Sequence, residues 1–418
     1  MLDSQAAESG DRPGAAIQSP HILIGVTSSQ TCIVLPGRLS ALRAAGFQVS
    51  VLSAPGERLD RMAEIDGVAT LPLPMHRGIS PVADSIALMR MIRLVRRVKP
   101  DIVEFSTPKA GLLGSVAAFI CRVPARIYFL RGLKLETAHG LKRALLTWAE
   151  RLSASCAHVV LCNSRSLREQ ALTHRVAPRS KMILLGEGSS NGVDVTRFAP
   201  GPSQVRSQFG IPGDAPVIGF AGRLTMDKGL PELLEAFTGI LRRIPNAYLL
   251  LVGWFDAAED AVECGLRARV ESHPRIVLTG YVSDTAPFYR AMDFLILPSW
   301  REGFPNVVLE AAASGLPVIA TLSTGCCDAV IPEVTGLLVP PGCPEAICEA
   351  AVSMIRDPEG RGRMGHAARS WVVENYSDRR ILGLTVEFYK LLLDCNGSQA
   401  REMILISDEA ATGLRVKT

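Results

Sequence analysis

Short apolar runs alternate with amphipathic stretches along most of the chain, and this alternation restricts the folds that it can adopt. The apolar runs have about the length of buried parallel strands. The stretches between them place apolar residues three and four positions apart, as in helices with one buried face. Repeated strand–helix units predict a doubly wound α/β fold. The predicted strands include HILIGV, FQVSVLS, PDIVEFS, ARIYFL and HVVLCNS in the first half, and PVIGFAG, AYLLLVG, RIVLTGYV, DFLILPS and LPVIAT in the second.

The alternation is interrupted at GEGSSNGVDVTRFAPGPSQV, where Gly, Ser, Asn and Pro crowd together as they do in linkers. The chain has 418 residues, more than the roughly 250–300 at which a single hydrophobic core stops growing. We therefore predict two doubly wound domains. The predicted parts are a disordered arm at 1–20, domains at 21–190 and 191–376, a C-terminal helix at 377–394 that can return to the first domain, and a weakly ordered tail at 395–418.

Charge is divided unevenly between the two halves. Residues 1–190 contain 24 Lys and Arg against 14 Asp and Glu, a balance of +10, whereas residues 191–418 contain 21 against 27, a balance of −6. The basic half indicates an anionic partner or membrane surface, or simply solvated surface charge. We find neither a secretory signal nor an apolar run of the ~20 residues that a spanning helix needs. The ten cysteines form no Cys-x-x-Cys pair, which favours a reducing compartment.

One turn of the second half has the composition of an anion site. The strand PVIGFAG leads into AGRLTMDKG, which places Gly222, Arg223 and Lys228 between a strand and a helix. Gly222 permits close approach of the backbone, Arg223 offers a planar set of donors, and Lys228 adds a point charge. The following helix would present free N–H groups. An ordinary solvent-exposed turn remains the alternative interpretation of this segment alone.

A second turn carries two carboxylates eight positions apart, in REGFPNVVLE. Gly303 allows a tight turn, and Pro305 and Asn306 suit the start of a helix. Glu302 would then lie in the loop and Glu310 about one turn inside the helix. Each carboxylate alone could simply complement a helix dipole. As a pair, they could accept hydrogen bonds from the hydroxyls of a ribose and a hexose.

Four segments, in order, resemble family-four retaining glycosyltransferases. EGFPNVVLE resembles their Glu-x7-Glu motif, GRLTMDKG their diphosphate turn, SNGVDVTRF their entry into the second domain, and EVTGLLVPPG a late shared segment. The resemblance runs from about His21 to Asp394. It implies the GT-B fold, in which two Rossmann-like domains face each other across a cleft. The second domain would hold a nucleotide-sugar donor and the first an acceptor, with no metal and no other cofactor.

The resemblance also assigns roles to the donor-side residues. Arg223 and Lys228 would bind the donor diphosphate and stabilise the charge that develops as it leaves. Glu302, the third catalytic residue, would contact the sugar hydroxyls, and Glu310 the ribose. The family retains the anomeric configuration, with the leaving phosphate taking the acceptor proton, so no carboxylate nucleophile is implied. The remaining donor-binding candidates are Gly222, Gly280, Tyr281, Val282, Gly303, Phe304, Pro305 and Asn306.

On the acceptor side, STPKAGLLG and YFLRGLKLET are similar to capsule and exopolysaccharide transferases that act on undecaprenyl-diphosphate-linked sugars. Lys109 and Arg131 are the candidates for binding the acceptor phosphates, with salt pairing or solvent exposure as the alternative. Ser28 and Ser29 could line the cleft. Many relatives have a histidine in the strand-end segment where VEFSTPK has Glu104 and Ser106, so no histidine role is carried over.

A basic helical segment near the middle of the first half fits a lipid-bound acceptor. Arg90, Arg93 and Arg97 fall on one helical face, with Arg96 and Lys99 close by. Its apolar positions could pack against the sheet or face a lipid. These are Leu88, Met91, Ile92 and Val95.

The predicted function is therefore a retaining hexosyltransferase of surface-polysaccharide biosynthesis. It would move a hexose or N-acetylhexosamine from a UDP-linked donor to a polyprenyl-diphosphate-linked saccharide, with no nucleic-acid partner. It would be cytoplasmic and peripheral at the inner face of the cell membrane. One alternative is a GT-B-fold nucleotide-sugar 2-epimerase, which would need its own acid and base. Another is a non-catalytic nucleotide-sugar-binding protein, against which the complete set of charged residues argues. A nicotinamide dehydrogenase is disfavoured because no Gly-x-Gly-x-x-Gly follows the first strand.

Overall fold

The computed structural model describes residues 19–65, 67–76, 78, 80–256 and 262–394. Within these residues the strands form two separate sheets, of seven and six strands. Every pairing between named strands is parallel, and helices connect most successive strands. The prediction of two doubly wound α/β units is confirmed. The predicted tail, and the predicted arm apart from its last two residues, lie outside the described residues.

The first sheet has the strand order β3-β2-β1-β4-β5-β6-β7. Its strands are β1 (His21–Gly25), β2 (Gln48–Ser53), β3 (Val68–Pro72), β4 (Ile102–Ser106), β5 (Ala125–Leu130), β6 (Val159–Cys162) and β7 (Met182–Leu184). The helices that follow them are α1 (Pro36–Ala44), α2 (Glu57–Asp60), α3 (Pro81–Val98), α4 (Pro108–Ile120), α5 (Gly140–Cys156) and α6 (Arg165–Thr173). The strand order reverses between β1 and β4, and ligands of such sheets bind beyond the carboxyl ends of the strands at that point.

The second sheet has the order β10-β9-β8-β11-β12-β13. Its strands are β8 (Val217–Ala221), β9 (Tyr248–Val252), β10 (Ile276–Leu278), β11 (Phe294–Leu297), β12 (Val318–Thr321) and β13 (Gly336–Val339). Its helices are α7 (Val205–Gln208), α8 (Leu230–Arg243), α9 (Cys264–Ser272), α10 (Ala286–Tyr289), α11 (Asn306–Ala313), α12 (Pro344–Arg356) and α13 (Pro358–Tyr376), and the chain continues into α14 (Asp378–Asp394). Here the order reverses between β8 and β11, the strands that precede the two predicted donor turns.

Helix α8 shows how the sequence positions these turns. Its apolar residues recur at helical spacing, and Leu230, Leu233 and Phe237 are almost fully buried against the sheet. Two arginines, Arg242 and Arg243, occupy its last turn, where cations interact favourably with the helix dipole. The helix is therefore fixed on the sheet, and the turn before it is held at the carboxyl end of β8.

The last helix packs on the first sheet although it follows the second domain in sequence. Phe388 and Tyr389 of α14 are buried in the same core cluster as strand β1. The chain that enters the second domain passes close to the chain that leaves it at Gly192, which has a φ of 68°. A Cβ atom at Gly192 would lie 2.6 Å from the carbonyl oxygen of Tyr376. Glycine is therefore required where the outgoing and returning chains meet.

Candidate active site

The turn after β8 presents Gly222 and Arg223 at the edge of the second sheet. Gly222 has a φ of 137°, and its carbonyl oxygen would lie 1.8 Å from a Cβ atom at Gly253. The Arg223 side chain is 43% exposed and donates a hydrogen bond of 2.7 Å to Oδ2 of Asp256. An exposed guanidinium held by a single carboxylate can exchange that partner for a ligand phosphate.

Lys228 and Glu302 form an ion pair between the two predicted donor turns. Lys228 ends a short 3-10 turn, Met226–Lys228, after β8, and Glu302 lies in the loop after β11. Oε1 of Glu302 also accepts a hydrogen bond of 2.9 Å from Ser299. The side chains of Lys228 and Glu302 are only 19% and 14% exposed. Two residues 74 positions apart in sequence thus form one charged unit.

Glu310 lies in the second turn of α11 and accepts a hydrogen bond of 2.7 Å from the hydroxyl of Tyr289. Burial raises the pKa of Glu310 to about 7, while the bond from Tyr289 and the charge of Arg197 act in the opposite direction. The carboxyl is therefore poised to change charge near neutral pH. Tyr289 carries no sequence signal of a functional role, because a tyrosine among apolar residues is typical of a hydrophobic core.

The loop that contains Gly303 touches the first domain. A Cβ atom at Gly303 would lie 2.0 Å from the carbonyl oxygen of Arg131 and 2.9 Å from Nδ2 of Asn163. Only glycine fits this approach without a shift of the backbone. Phe304 is buried and its ring lies 5.2 Å from that of Tyr376, so only its backbone can face a ligand. The loop before α11 thus packs on the first domain at Gly303 and on Tyr376 at Phe304.

The remaining members of the predicted donor set occupy two loops. Pro305 precedes α11 and Asn306, partly exposed, begins it. Gly280, with a φ of 70°, lies in the loop after β10 with Tyr281 and Val282. Tyr281 is 51% exposed, and the guanidinium carbon of Arg58, from the first domain, lies 5.4 Å from its ring centre. Strand β10 is two strands away from β8 in the sheet.

The four predicted acceptor residues follow three neighbouring strands, β1, β4 and β5. Ser28 precedes the 3-10 helix Ser29–Val34 and accepts a hydrogen bond of 3.3 Å from the backbone of Gln30. Ser29 lies close to Gly56. Lys109, at the start of α4, donates to Asp84 at 2.6 Å and is therefore engaged in a salt bridge. The geometry does not unite the four residues into one group.

Arg131, directly after β5, belongs to a buried charged cluster. Glu104 is paired with Arg38 and lies 4.0 Å from Nη2 of Arg131. Tyr389 of α14 donates to Glu104 and accepts a hydrogen bond of 2.9 Å from Arg38. Burial lowers the pKa of Arg131 to about 10, which the nearby Glu104 opposes. Among the described residues, Nε and Nη2 of Arg131 have no hydrogen-bond partner.

Polar contacts between the domains surround this region. Ser166 of α6 accepts a hydrogen bond of 2.7 Å from the backbone of Gly325, and Thr324 donates one of 2.6 Å to Glu136. Arg301, beside Glu302, donates to Thr137 at 3.0 Å. Nothing in the sequence marks these residues as partners, because their pairing depends on how the domains face each other. Within the described ranges, no group of three or more His, Cys, Asp or Glu side chains is arranged to hold a metal ion.

The comparisons with known proteins agree with this architecture. Residues 38–188 match the family described as glycosyl transferase 4-like domain, and residues 215–357 match glycosyl transferases group 1. The capsular polysaccharide biosynthesis glycosyltransferase CapM of Staphylococcus aureus is 35% identical over 85% of this chain and 93% of its own. The chain is a family-four glycosyltransferase. The family expected from its motifs is thereby confirmed.

One further relative and one solved structure are similar to this glycosyltransferase. The UDP-Gal:alpha-D-GlcNAc-diphosphoundecaprenol alpha-1,3-galactosyltransferase of Escherichia coli is 27% identical over 66% of this chain and 71% of its own. The crystal structure of Anabaena Alr3699/HepE in complex with UDP-glucose superposes with a TM-score of 0.73 at 20% identity, over 88% of this chain and 99% of the other. The likeness to the solved structure confirms the GT-B fold.

Proposed function

We propose that this glycosyltransferase moves a hexose or N-acetylhexosamine from a UDP-linked donor to a lipid-diphosphate-linked saccharide, with retention at the anomeric carbon. The observation that carries the proposal is the Lys228–Glu302 pair, at the edge of the second sheet where the next residue, Gly303, contacts Arg131. Lys228, which can bind a diphosphate, and Glu302, which can accept hydrogen bonds from sugar hydroxyls, thus lie next to the first domain. The names of the Escherichia coli and Anabaena proteins support the lipid-linked acceptor and the UDP-linked donor.

In the proposed donor complex, the Arg223–Asp256 and Lys228–Glu302 ion pairs are both broken. The diphosphate takes the guanidinium of Arg223 from Asp256 and the ammonium of Lys228 from Glu302, since phosphate oxygens form strong charge-assisted bonds with both. Glu302 is then free to accept hydrogen bonds from the sugar hydroxyls. Glu310 accepts them from the ribose. Gly222 and the turn from Gly303 to Asn306 line the donor, and the loop of Gly280, Tyr281 and Val282 lies against the nucleobase.

The proposed reaction uses these positions as follows. Cleavage of the anomeric C–O bond leaves negative charge on the departing diphosphate, and the cations of Arg223 and Lys228 stabilise that charge as it develops. The acceptor hydroxyl attacks from the same face and passes its proton to the leaving phosphate oxygen. The new C–O bond thus replaces the old one with the configuration retained, and the enzyme needs no carboxylate nucleophile.

On the acceptor side, Arg131 is the strongest candidate for contact with the lipid diphosphate. Two of its nitrogen atoms lack a hydrogen-bond partner among the described residues, and unpaired buried donors are costly unless a ligand satisfies them. Lys109 can contribute only if it leaves Asp84, 2.6 Å away. Ser28 and Ser29 would contact a more distant part of the saccharide, beyond β1.

The acceptor places the enzyme at the inner face of the cytoplasmic membrane, where it binds peripherally. No helix among those described combines the length and the apolar character needed to cross a bilayer.

Purified protein incubated with a panel of UDP-, GDP- and dTDP-sugars and a short-chain polyprenyl-diphosphate sugar tests the proposal. We expect mass increase of the acceptor by one hexose or N-acetylhexosamine from a UDP-sugar, unaffected by EDTA. The anomeric coupling in the NMR spectrum of the product should match that of the donor. Inversion would contradict the retaining mechanism. A 2-epimer of the donor sugar without transfer would favour the epimerase alternative, and free sugar alone would contradict the assigned acceptor.

The pH dependence of donor binding should report on Glu310. An ionised carboxylate accepts hydrogen bonds from a ribose better than a protonated one, so Kd should rise as pH falls below about 7, the raised pKa of Glu310. Replacing Tyr289 by phenylalanine removes a bond that favours the ionised form. In Tyr289→Phe the break in log Kd should therefore move to higher pH, by about one unit. Isothermal titration calorimetry between pH 5.5 and 9 measures it.

The first domain offers a matched control for this measurement. Tyr128 donates to Glu150, whose pKa burial also raises to about 7. This pair joins β5 to α5, in the other domain. Tyr128→Phe should leave the pH profile of donor binding unchanged. The assignment of Glu310 to the donor is wrong if Tyr128→Phe and Tyr289→Phe shift the profile equally, or if neither does.

A further inference from the structure

Helices α3, α4 and α5 lie side by side over one face of the first sheet. Residues of α3 and α4 pack on Leu23, Val103 and Phe105, and α5 packs on Tyr128 and its neighbours of the same face. The register pairs Phe105 with Tyr128 and Leu23 with Val103, so these side chains point to one side. The outer surfaces of the three helices therefore belong to one surface of the molecule.

Exposed apolar side chains are concentrated on two parts of this surface. Of the seventeen large apolar side chains that are exposed among the described residues, six lie in 82–89 of α3 and 141–148 of α5. Val82 is 75% exposed, Leu141 86% and Trp148 57%. The six are Val82, Ile86 and Met89 of α3 and Leu141, Leu145 and Trp148 of α5, and we call them the apolar stripes. In each helix they are spaced three and four apart, so each stripe is one helical face.

The apolar stripes are not part of the hydrophobic core. The alternatives that the sequence left open for α3 are settled by burial, since Met91, Ile92 and Val95 pack inward. The stripe of α3 lies on the opposite side of the helix. It starts in the first turn, just beyond the carboxyl edge of the sheet, as does the stripe of α5. Both stripes thus lie toward the edge that carries the candidate active site.

The exposed charges of the same two helices are all positive. Seven cations are exposed, and neither helix has an exposed carboxylate. Asp84 is paired with Lys109, and Glu150 is buried against Tyr128. A shallow hollow of about 400 Å³ on α5 is lined by Arg143, Trp148 and Arg151, among others. The seven cations are Arg90, Arg93, Arg96, Arg97, Lys142, Arg143 and Arg151.

We propose that the outer surface of α3 and α5 docks on an anionic phospholipid bilayer. Apolar side chains would enter the boundary between headgroups and acyl chains, and the cations around them would attract anionic headgroups. A second copy of the chain is the poorer occupant, because a symmetric contact would bring two sets of seven cations together. The inference deepens the proposed function, since a lipid-linked acceptor would enter the cleft from the surface on which the enzyme rests.

Vesicle sedimentation of the full chain tests the docking surface. Binding to vesicles of phosphatidylcholine with phosphatidylglycerol should exceed binding to pure phosphatidylcholine by about tenfold or more, and should weaken at high salt. The double variant Leu141→Ser/Trp148→Ser should lose about tenfold or more in vesicle affinity. Arg90→Gln/Arg93→Gln/Arg97→Gln removes three of the seven cations and should reduce the preference for anionic lipid several-fold. Phe209→Ser, which replaces an exposed side chain of the second domain, is the matched control and should bind as the unaltered protein does.

Trp148 provides a second measurement that does not depend on how well the serine variant folds. Brominated acyl chains should quench its fluorescence in vesicles, and Trp148→Phe should keep most of the binding while losing most of the quenching. Unchanged binding in both multiple variants, or the absence of quenching, would overturn the docking surface. Dissociation of a dimer by Leu141→Ser/Trp148→Ser would assign the surface to a second copy instead.

The failure of this inference can be told apart from failure of the proposed function. The surface variants should transfer sugar to a water-soluble short-chain acceptor at the rate of the unaltered protein, because none of the replaced residues belongs to the candidate active site. If the unaltered protein binds anionic vesicles but transfers no sugar to any acceptor, the proposed reaction is wrong and the docking surface stands. If transfer occurs without vesicle binding, only the docking surface is wrong.

Discussion

Replacing Lys228 by alanine is expected to reduce kcat for sugar transfer by about 10²–10³-fold, the loss seen when one preorganised donor to a developing anion is removed. Two effects act together. The leaving diphosphate loses a cation, and Glu302, only 14% exposed, loses the partner that neutralises it. An unpaired carboxylate beside a diphosphate repels it, so KM for the donor should rise as well. Steady-state kinetics with the donor found in the panel measures both constants.

Two comparisons make this prediction specific. Lys390→Ala removes an exposed lysine of α14 and should leave both constants within about twofold. In Lys228→Ala/Glu302→Gln the loss in kcat should be smaller than the product of the two single losses, because residues in direct contact do not contribute additively. A kcat within twofold of the original in Lys228→Ala would remove Lys228 from the catalytic machinery. Strict additivity would mean that the ion pair has no part in catalysis.

The fold was predictable because the strands are buried on both faces. Strands such as β8 and β11 are fully buried, so their sequences are short apolar runs that no surface requirement interrupts. The two donor turns follow from these strands directly. The end of each apolar run shows where the turn begins, and a glycine beside a charged residue identifies it: Gly222 with Arg223, and Gly303 with Glu302. Residues 222–228 and 302–310 thus occupy the ends of neighbouring strands, as the pattern indicates.

The pairing of charges was not predictable, because it depends on distance through space. Lys228 and Glu302 were assigned separate roles, yet the structure joins them in one ion pair. For Lys109 the sequence left acceptor binding and salt pairing both open, and the structure supplies the partner, Asp84. Arg38 and Tyr389 are 351 positions apart and still hydrogen-bonded. A sequence read in local windows contains no signal for such contacts, since each side chain is compatible with several surroundings.

The buried cluster around Glu104 leads to the second large prediction, which concerns stability. Two guanidiniums share this single carboxylate, one of them, Arg38, only 1% exposed. Tyr389 adds its hydroxyl from α14. The Glu104 carboxylate is therefore the one negative charge that balances the two arginines. Through Tyr389 it also connects α14 to β4. Removing a partner from a buried ion pair is costly because the remaining charge is left uncompensated.

Glu104→Gln is expected to reduce the free energy of unfolding of the first domain by about 3–5 kcal/mol. Hydrogen exchange followed by mass spectrometry measures the loss where it arises, in peptides that cover β4 and α14. Peptides of the second sheet should change much less, since Arg38, Glu104 and Tyr389 are buried in or beside the first sheet. Glu169→Gln is the control. Its carboxylate is 57% exposed and lies 3.2 Å from Arg179, so its replacement should cost less than about 1 kcal/mol.

A double replacement decides whether unpaired charge is the cause of this loss. Arg38→Met/Glu104→Gln removes the deepest guanidinium together with the carboxylate, and methionine fills a similar volume between Phe129 and Tyr389. If the cost of Glu104→Gln arises from an uncompensated Arg38, the double variant should be more stable than Glu104→Gln alone. If the carboxylate contributes mainly through its bond with Tyr389, the second replacement should add a further loss. Equal stability of Glu104→Gln and the unaltered protein would show that Arg38 does not depend on this carboxylate.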